Sequence, residues 1–335
     1  MNLLKKASRK VIFPYLMNLR VDKFFRKLTN NSILNIMYHG VVNKNSNYFS
    51  SSHITAEQFE EHLKYFSDEF DVIGISQAFE YAESNYKPER NTITISFDDG
   101  YRNNLYVALP LLKKYNIQTT FFISSMCTQE MDIRILWSDI VACLDYFHKD
   151  DIIELDNKSF KNLVDIESKI SLVDFLKTSD AASRDNYLDY LIVKYDIKRK
   201  LDSIPSEAWK LLTSDELKEL SSSNIVEIGS HGHLHYNLAE VGSIVAKKEL
   251  AYSKELLQNV VSKEINSVAY PDGSYSHETK DIAEQLDYKY QMAVNYHHPD
   301  DITDPRILNR HSISSTTTFE SNMLLMNRNF KNKGF

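Results

Sequence analysis

Ile93-Thr-Ile-Ser-Phe-Asp-Asp-Gly100 is a β-type run that stops abruptly at two adjacent carboxylates. A short apolar run bounded by a turn signal predicts a buried strand over Thr92–Phe97, ending at Asp98-Asp99-Gly100. The segments around it repeat one rhythm. Upstream, Ile33–Tyr38 is apolar and ends in His39-Gly40. Thr55-Ala-Glu-Gln58 reads as a capping box, with Phe59, Leu63 and Phe66 at helical spacing behind it. Asp71–Ile75 predicts a strand, and Ser76 caps a helix carrying Ala78, Phe79 and Ala82. Downstream, Asn103–Tyr115 predicts a helix and Thr119–Ser124 a strand. Strand and helix alternating in this way argue for an α/β fold, a parallel sheet covered by helices.

From about Cys127 to Thr213 the rhythm changes. Trp137–Phe147, Leu163–Leu176 and Tyr187–Tyr195 have helical period, and only Ile152–Leu155 alternates like a strand. This predicts a helical insertion over about 128–212. The α/β pattern then resumes. A helix capped at Thr213 or Ser214 leads to strands at Ile225–Ile228, Ser267–Tyr270, Tyr290–Val294 and Ile307–Ile313, with helices at Ala246–Val260 and His277–Leu286 between them. The expected organisation is an N-terminal arm (1–31), an α/β barrel body (32–320) interrupted by the insertion, and a C-terminal tail (321–335).

The chain has 335 residues, with 39 Lys plus Arg against 46 Asp plus Glu, a net charge of −7. Bulk attraction to nucleic acid is not indicated, and no nucleic-acid partner is expected. Two cysteines without close spacing suit a reducing compartment. The arm departs from the charge balance: Lys5, Lys6, Arg9, Lys10, Arg20, Lys23, Arg26 and Lys27 face one acid, Asp22, with apolar residues interleaved. Its apolar stretch Val11–Leu19 is too short to span a bilayer and no small-residue cleavage site follows it. A helix of this composition suits contact of residues 1–30 with an anionic membrane surface. The expected location is the cytoplasm, peripheral to the inner membrane face.

Four sites that follow strands are polar: His39, Asp98-Asp99, the run Ile228-Gly-Ser-His-Gly-His-Leu-His235, and Pro271-Asp272-Gly273. In a parallel barrel such positions gather on one rim, where catalysis occurs. His231 and His235 are four residues apart, which puts two imidazoles on one side of a turn, with His233 directed elsewhere. One carboxylate and two histidines make a three-ligand site with room for water. The other carboxylate is then available as a base.

On these residues the chain resembles the polysaccharide deacetylases of carbohydrate esterase family 4. Ile95-Ser-Phe-Asp-Asp-Gly-Tyr101, Gly229-Ser-His-Gly-His-Leu-His-Tyr-Asn-Leu238 and Ala269-Tyr-Pro-Asp-Gly273 carry the resemblance. Met37-Tyr-His-Gly-Val41 and Phe59-Glu-Glu-His-Leu-Lys-Tyr65 are similar to the exopolysaccharide-modifying branch. The resemblance covers about 32–125 and 213–313. It implies a distorted (β/α) barrel of seven strands and a divalent metal, usually zinc, with cobalt, nickel or iron compatible with the same donors. It makes Asp98 the base, Asp99, His231 and His235 the ligands, and Tyr270, Pro271 and Asp272 the substrate-binding segment. The implied reaction removes N-acetyl groups from amino sugars of a surface polysaccharide or its lipid-linked precursor.

The chain departs from the family pattern at three points. Ala269 stands where many members carry an arginine that orients the base, and Arg310 is the candidate substitute. Asp272 stands where many carry an aromatic residue. The family's late histidine has no clean counterpart, which leaves His39 and His311 as candidate acids. An O-deacetylase or small-substrate amidohydrolase of the same fold, or a silent carbohydrate-binding module, are the alternatives.

Overall fold

The computed structural model describes residues 12–28, 31–43, 49–129 and 135–333. Ile33–Tyr38 (β1) and Thr92–Phe97 (β5) are buried at all six positions. Strands hidden on both faces need cover on both sides, which a closed parallel sheet wrapped in helices supplies. Between them lie Gly40–Val42 (β2), His53–Thr55 (β3) and Asp71–Val72 (β4), followed after β5 by Thr119–Ile123 (β6). The insertion contributes Ile152–Leu155 (β7), Lys158–Lys161 (β8) and Val164–Asp165 (β9). The sheet is completed by Val226–Ser230 (β10), Ser267–Ala269 (β11), Tyr290–Ala293 (β12) and Ile307–Ser312 (β13).

Seven strands close a ring in the order β1-β13-β12-β11-β10-β6-β5 and back to β1, every pairing parallel. This is the distorted barrel expected from the resemblance. The distortion has a definite place. β6 pairs with β5 only at Ser96 and Phe97, whereas β4 takes the first two residues of β5, Thr92 and Ile93. The barrel is splayed at its N-terminal end and tight at its C-terminal rim. Local chemistry sets the helix starts. The Thr55 side chain accepts the Gln58 N–H while Gln58 accepts that of Thr55, and Thr213 and Glu216 repeat the arrangement.

The insertion is not wholly helical. Helices at Trp137–His148, Leu172–Thr178, Ala181–Lys194 and Ile197–Leu201 surround an antiparallel meander β7-β8-β9. They share a core of their own that includes Ile140, Leu144, Phe160, Leu176 and Leu191. Only β7 was legible as a strand. β8 has a single apolar residue, Phe160, and β9 is two residues long, so neither shows a period-2 pattern, and the β7–β8 turn uses Asp156 and Asn157 at positive φ (49° and 57°).

The expectation of a tail over 321–335 is corrected. Phe319–Lys333 is a helix that buries Met323, Leu324 and Met326 and stacks Phe330 on Phe70 at 5.5 Å. Its Asn and Lys residues mask an apolar stripe at 319, 323, 326 and 330, which has helical spacing. The Val21–Lys27 helix of the arm packs against it. There Arg26 joins Glu69 (2.7 Å) and Asp22 (3.4 Å), and Lys23 also reaches Glu69 (3.0 Å). Part of the arm's positive charge is therefore engaged by the body. Residues 1–11, with Lys5, Lys6, Arg9 and Lys10, lie outside the described residues. No helix among the described residues is long and apolar enough to cross a membrane.

Phe330→Ala is expected to destabilise the protein by about 3–5 kcal/mol, the range for emptying a packed aromatic site. Urea unfolding checks this, and a loss below about 1 kcal/mol would mean that the terminal helix does not belong to the core.

Candidate active site

β5 and β10 deliver the polar residues to the rim. Directly after β5, Asp99 and Gly100 both have positive φ (78° and 87°), so the chain turns sharply and Asp98 and Asp99 stay at the barrel mouth. After β10, Gly232 (φ 74°) and His235 (φ 55°) fold the histidine loop back on itself. The carbonyls of Gly232 and His233 accept N–H bonds from Ser125 and Met126, which ties that loop to the segment after β6.

Asp99, His231 and His235 converge as expected. All three are buried, and they offer ligand atoms within 4.8 Å of one another. His231 Nε2 lies 3.5 Å and His235 Nε2 3.3 Å from Asp99 Oδ1. That oxygen is buried with no aligned hydrogen bond. His231 donates its Nδ1–H to the Ala269 carbonyl (2.8 Å), because a carbonyl can only accept, so its Nε2 lone pair faces the carboxylates. The Trp137 indole N–H points at His235 Nδ1 (3.2 Å), which leaves that ring's proton on Nε2, so a cation at Nε2 requires the other tautomer, with the proton on Nδ1 and the indole bond released. An orphaned buried carboxylate oxygen between two imidazole nitrogens fits a divalent cation.

Asp98 is engaged differently. Arg310, fully buried on β13, grips it with both terminal nitrogens at 2.5 and 2.8 Å and also reaches Ser96 Oγ at 3.3 Å. The structure thus brings Arg310 to the carboxylate that Ala269 leaves without an arginine. His231 Nε2 is 3.8 Å from Asp98 Oδ2. Burial alone would raise both carboxyls, but Arg310 at Asp98, and the neighbouring imidazoles at Asp99, outweigh it and hold both below the usual carboxylate range. Burial depresses His231. It would depress His235 too, but the Asp99 carboxylate beside its Nε2 raises that imidazole instead.

A comparison with known sequence families matches residues 85–161 and 172–291 to the polysaccharide deacetylases. The chain belongs to the polysaccharide deacetylase family. The match runs through most of the insertion, which the sequence resemblance left out. A curated relative is YxkH of Bacillus subtilis (strain 168), whose name assigns it provisionally to the polysaccharide deacetylases. It is 22% identical over 260 residues, which are 77% of this chain and 62% of that protein. Two solved structures share the fold. The deacetylase PplD of Streptococcus pyogenes, in complex with acetate, is 17% identical and matches 88% of this chain and 97% of its own with a TM-score of 0.56. A de-N-acetylase from Aggregatibacter actinomycetemcomitans is 19% identical and matches 88% and 99% with a TM-score of 0.54.

Other expected site residues of this family member are placed unevenly. His39 lines the cavity with Asp98 and Asp99. His311 does not. Successive residues of a strand face opposite ways, so Arg310 pointing inward sends His311 outward, where its Nδ1 meets Asn329 of the terminal helix (2.9 Å). Tyr270 is corrected as well: its hydroxyl donates to Gln291 (2.7 Å), its ring stacks on Tyr275, and it takes no part in the cavity lining. Pro271 is buried behind Gly232 and does not line the cavity either. Asp272 does, in a left-handed conformation (φ 56°), and pairs with Lys177 of the insertion at 2.7 Å.

The cavity has a volume of about 830 Å³, and much of its wall comes from the insertion, through Trp137, Asp139, Leu163, Val173 and Lys177 among others. Sequence reasoning missed these residues. Asp139 is buried, takes a hydrogen bond from the Tyr101 hydroxyl (3.0 Å), and has its carboxyl pushed well up by burial. His53, edge-on to Tyr101 at 4.4 Å, has both ring nitrogens buried without a hydrogen-bond partner, and burial drives it down to about 3. In sequence Asp139 looks like an ordinary acid in the first turn of a helix, and His53 precedes a capping box, so neither carries a motif.

Arg310→Met strands the Asp98 charge and is expected to cost about 3–5 kcal/mol in urea unfolding of the metal-free protein. Adding Asp98→Asn should recover part of that loss. Strictly additive single effects would contradict the pairing.

Proposed function

We propose that this protein is a metal-dependent hydrolase that removes N-acetyl groups from amino sugars of a surface polysaccharide or its lipid-linked precursor. The observation that carries the reading is the buried Asp99–His231–His235 cluster with the arginine-bound Asp98 beside it at one cavity. Membership of the polysaccharide deacetylase family supports the substrate class. The relatives named for de-N-acetylation and for an acetate complex support the acyl group.

In this reading Asp99, His231 and His235 hold a divalent cation, with zinc favoured by the two-imidazole, one-carboxylate donor set. When bound, the cation polarises the amide carbonyl and lowers the pKa of a water. Asp98 is placed to take the proton from the attacking water. Arg310 keeps Asp98 ionised and fixes its plane, since a bidentate pair leaves the carboxylate little freedom to rotate. The amide nitrogen must be protonated before it departs as an amine. With His311 directed away, His39 is the cavity-lining imidazole outside the ligand set among the described residues, and we assign it the role of acid. The products are acetate and a free amino sugar. The charge of Lys5, Lys6, Arg9 and Lys10 suits an anionic membrane surface on the cytoplasmic side, where a lipid-linked glycan would be met.

Acetate release from N-acetylated glycan oligomers tests the reading. The metal-loaded protein should release acetate, and a chelator should abolish the release. Asp98→Asn should lower kcat by about 10²–10⁴-fold while keeping metal. His231→Ala should lose both metal and activity, and full metal occupancy in that variant would sink the ligand assignment. If the loaded wild type releases no acetate while Asp98→Asn still binds glycan, the chain is a binding module instead.

A further inference from the structure

His235 sits in a left-handed backbone conformation within the loop 231–235. A non-glycine residue in that conformation persists only where its surroundings hold it. Four successive peptide groups, the two that flank it and the two before them, are gripped from outside the barrel. On one side, Glu249 of the helix Ser243–Val261 accepts the N–H groups of His233 (3.0 Å) and Leu234 (2.8 Å) through a single oxygen. On the other, Arg184 of the insertion helix Ala181–Lys194 donates to the carbonyls of Leu234 (2.9 Å) and His235 (3.0 Å). The Arg184 guanidinium lies 4.2 Å over the Tyr236 ring, and that ring's hydroxyl donates to Asp185, the next residue of the same helix.

Arg184 is only 4% exposed, and its terminal nitrogens serve backbone carbonyls. Burying a guanidinium costs free energy that two carbonyl bonds offset only in part. A planar fork with two parallel donors is, however, suited to holding successive carbonyls at a fixed separation. The same insertion also supplies Trp137, whose indole meets the His235 ring. His235 is thus held at its backbone by one insertion helix and at its imidazole by another.

We propose that Arg184 is a positioning residue for the metal-binding loop, so that the insertion sets the metal affinity of a site whose ligands all lie outside it. The proposal rests on the reading that Asp99, His231 and His235 hold a divalent ion. It gives the insertion a second role beside walling the cavity.

The test uses the full chain, stripped with a chelator and titrated with Zn²⁺ against a chromophoric competitor, with the Co²⁺ absorption spectrum recorded in parallel. Arg184→Met should bind Zn²⁺ about 10–100-fold more weakly, the range for losing a group that orients a ligand. It should also change the Co²⁺ band intensities, with far-UV circular dichroism of the metal-free protein unchanged. Arg184→Lys, which can make one of the two bonds, should fall between. Wild-type affinity and spectrum in Arg184→Met overturn the proposal. If that variant does not fold, wild-type affinity in Arg184→Lys overturns it equally. A wild type that binds neither ion removes the metal reading itself, and this proposal with it.

Discussion

Two carboxylates adjacent in sequence and both buried at the mouth of a barrel are the constraint around which this molecule is arranged. Left alone, Asp98 and Asp99 would repel each other and suffer the full penalty of leaving water. The surroundings divide the problem. Asp98 receives a permanent cation, Arg310, in two-point contact. Asp99 receives only titratable partners, His231 and His235, and keeps an oxygen with no aligned hydrogen bond. One carboxylate is neutralised for good, and the other retains a place for an exchangeable positive charge. That difference arises from where each partner stands, Arg310 on β13 and the two histidines in the loop after β10.

The barrel was legible because its strands are uninterrupted apolar runs that end in polar residues. The rim followed, since parallel strands deliver their last residues to one end. The convergence of Asp99, His231 and His235 was legible for the same reason: each lies within a few residues of a strand end. What escaped depends on direction or on contacts with backbone. Arg310 and His311 are neighbours, and only the register of β13 against β1 and β12 decides which faces the barrel interior. Tyr270 carried a family motif, yet its side chain is turned toward Gln291. The terminal helix was concealed by polar composition, although its apolar stripe was present. Arg184 could not have been found, because peptide carbonyls carry no side-chain signature and the contact spans about fifty positions.

The insertion changes meaning once the structure is seen. In sequence it interrupts the α/β rhythm. In three dimensions it walls the cavity with Trp137, Leu163 and Val173, meets the barrel rim through the Lys177–Asp272 pair, and reaches behind the histidine loop with Arg184. The barrel provides the buried carboxylates and imidazoles, and the insertion shapes the space in front of them.

The bond between Asp98 and Arg310 joins residues 212 positions apart, one directly after β5 and the other on β13, and both strands flank β1 in the closed ring. A chain emerging from synthesis therefore carries this carboxylate long before the guanidinium that pairs with it exists. Until β13 slots in beside β1, the ring is open and Asp98 lacks its counter-charge. Closing the barrel and supplying that counter-charge are one event, so the state of the Asp98–Arg310 pair reports whether the ring is closed.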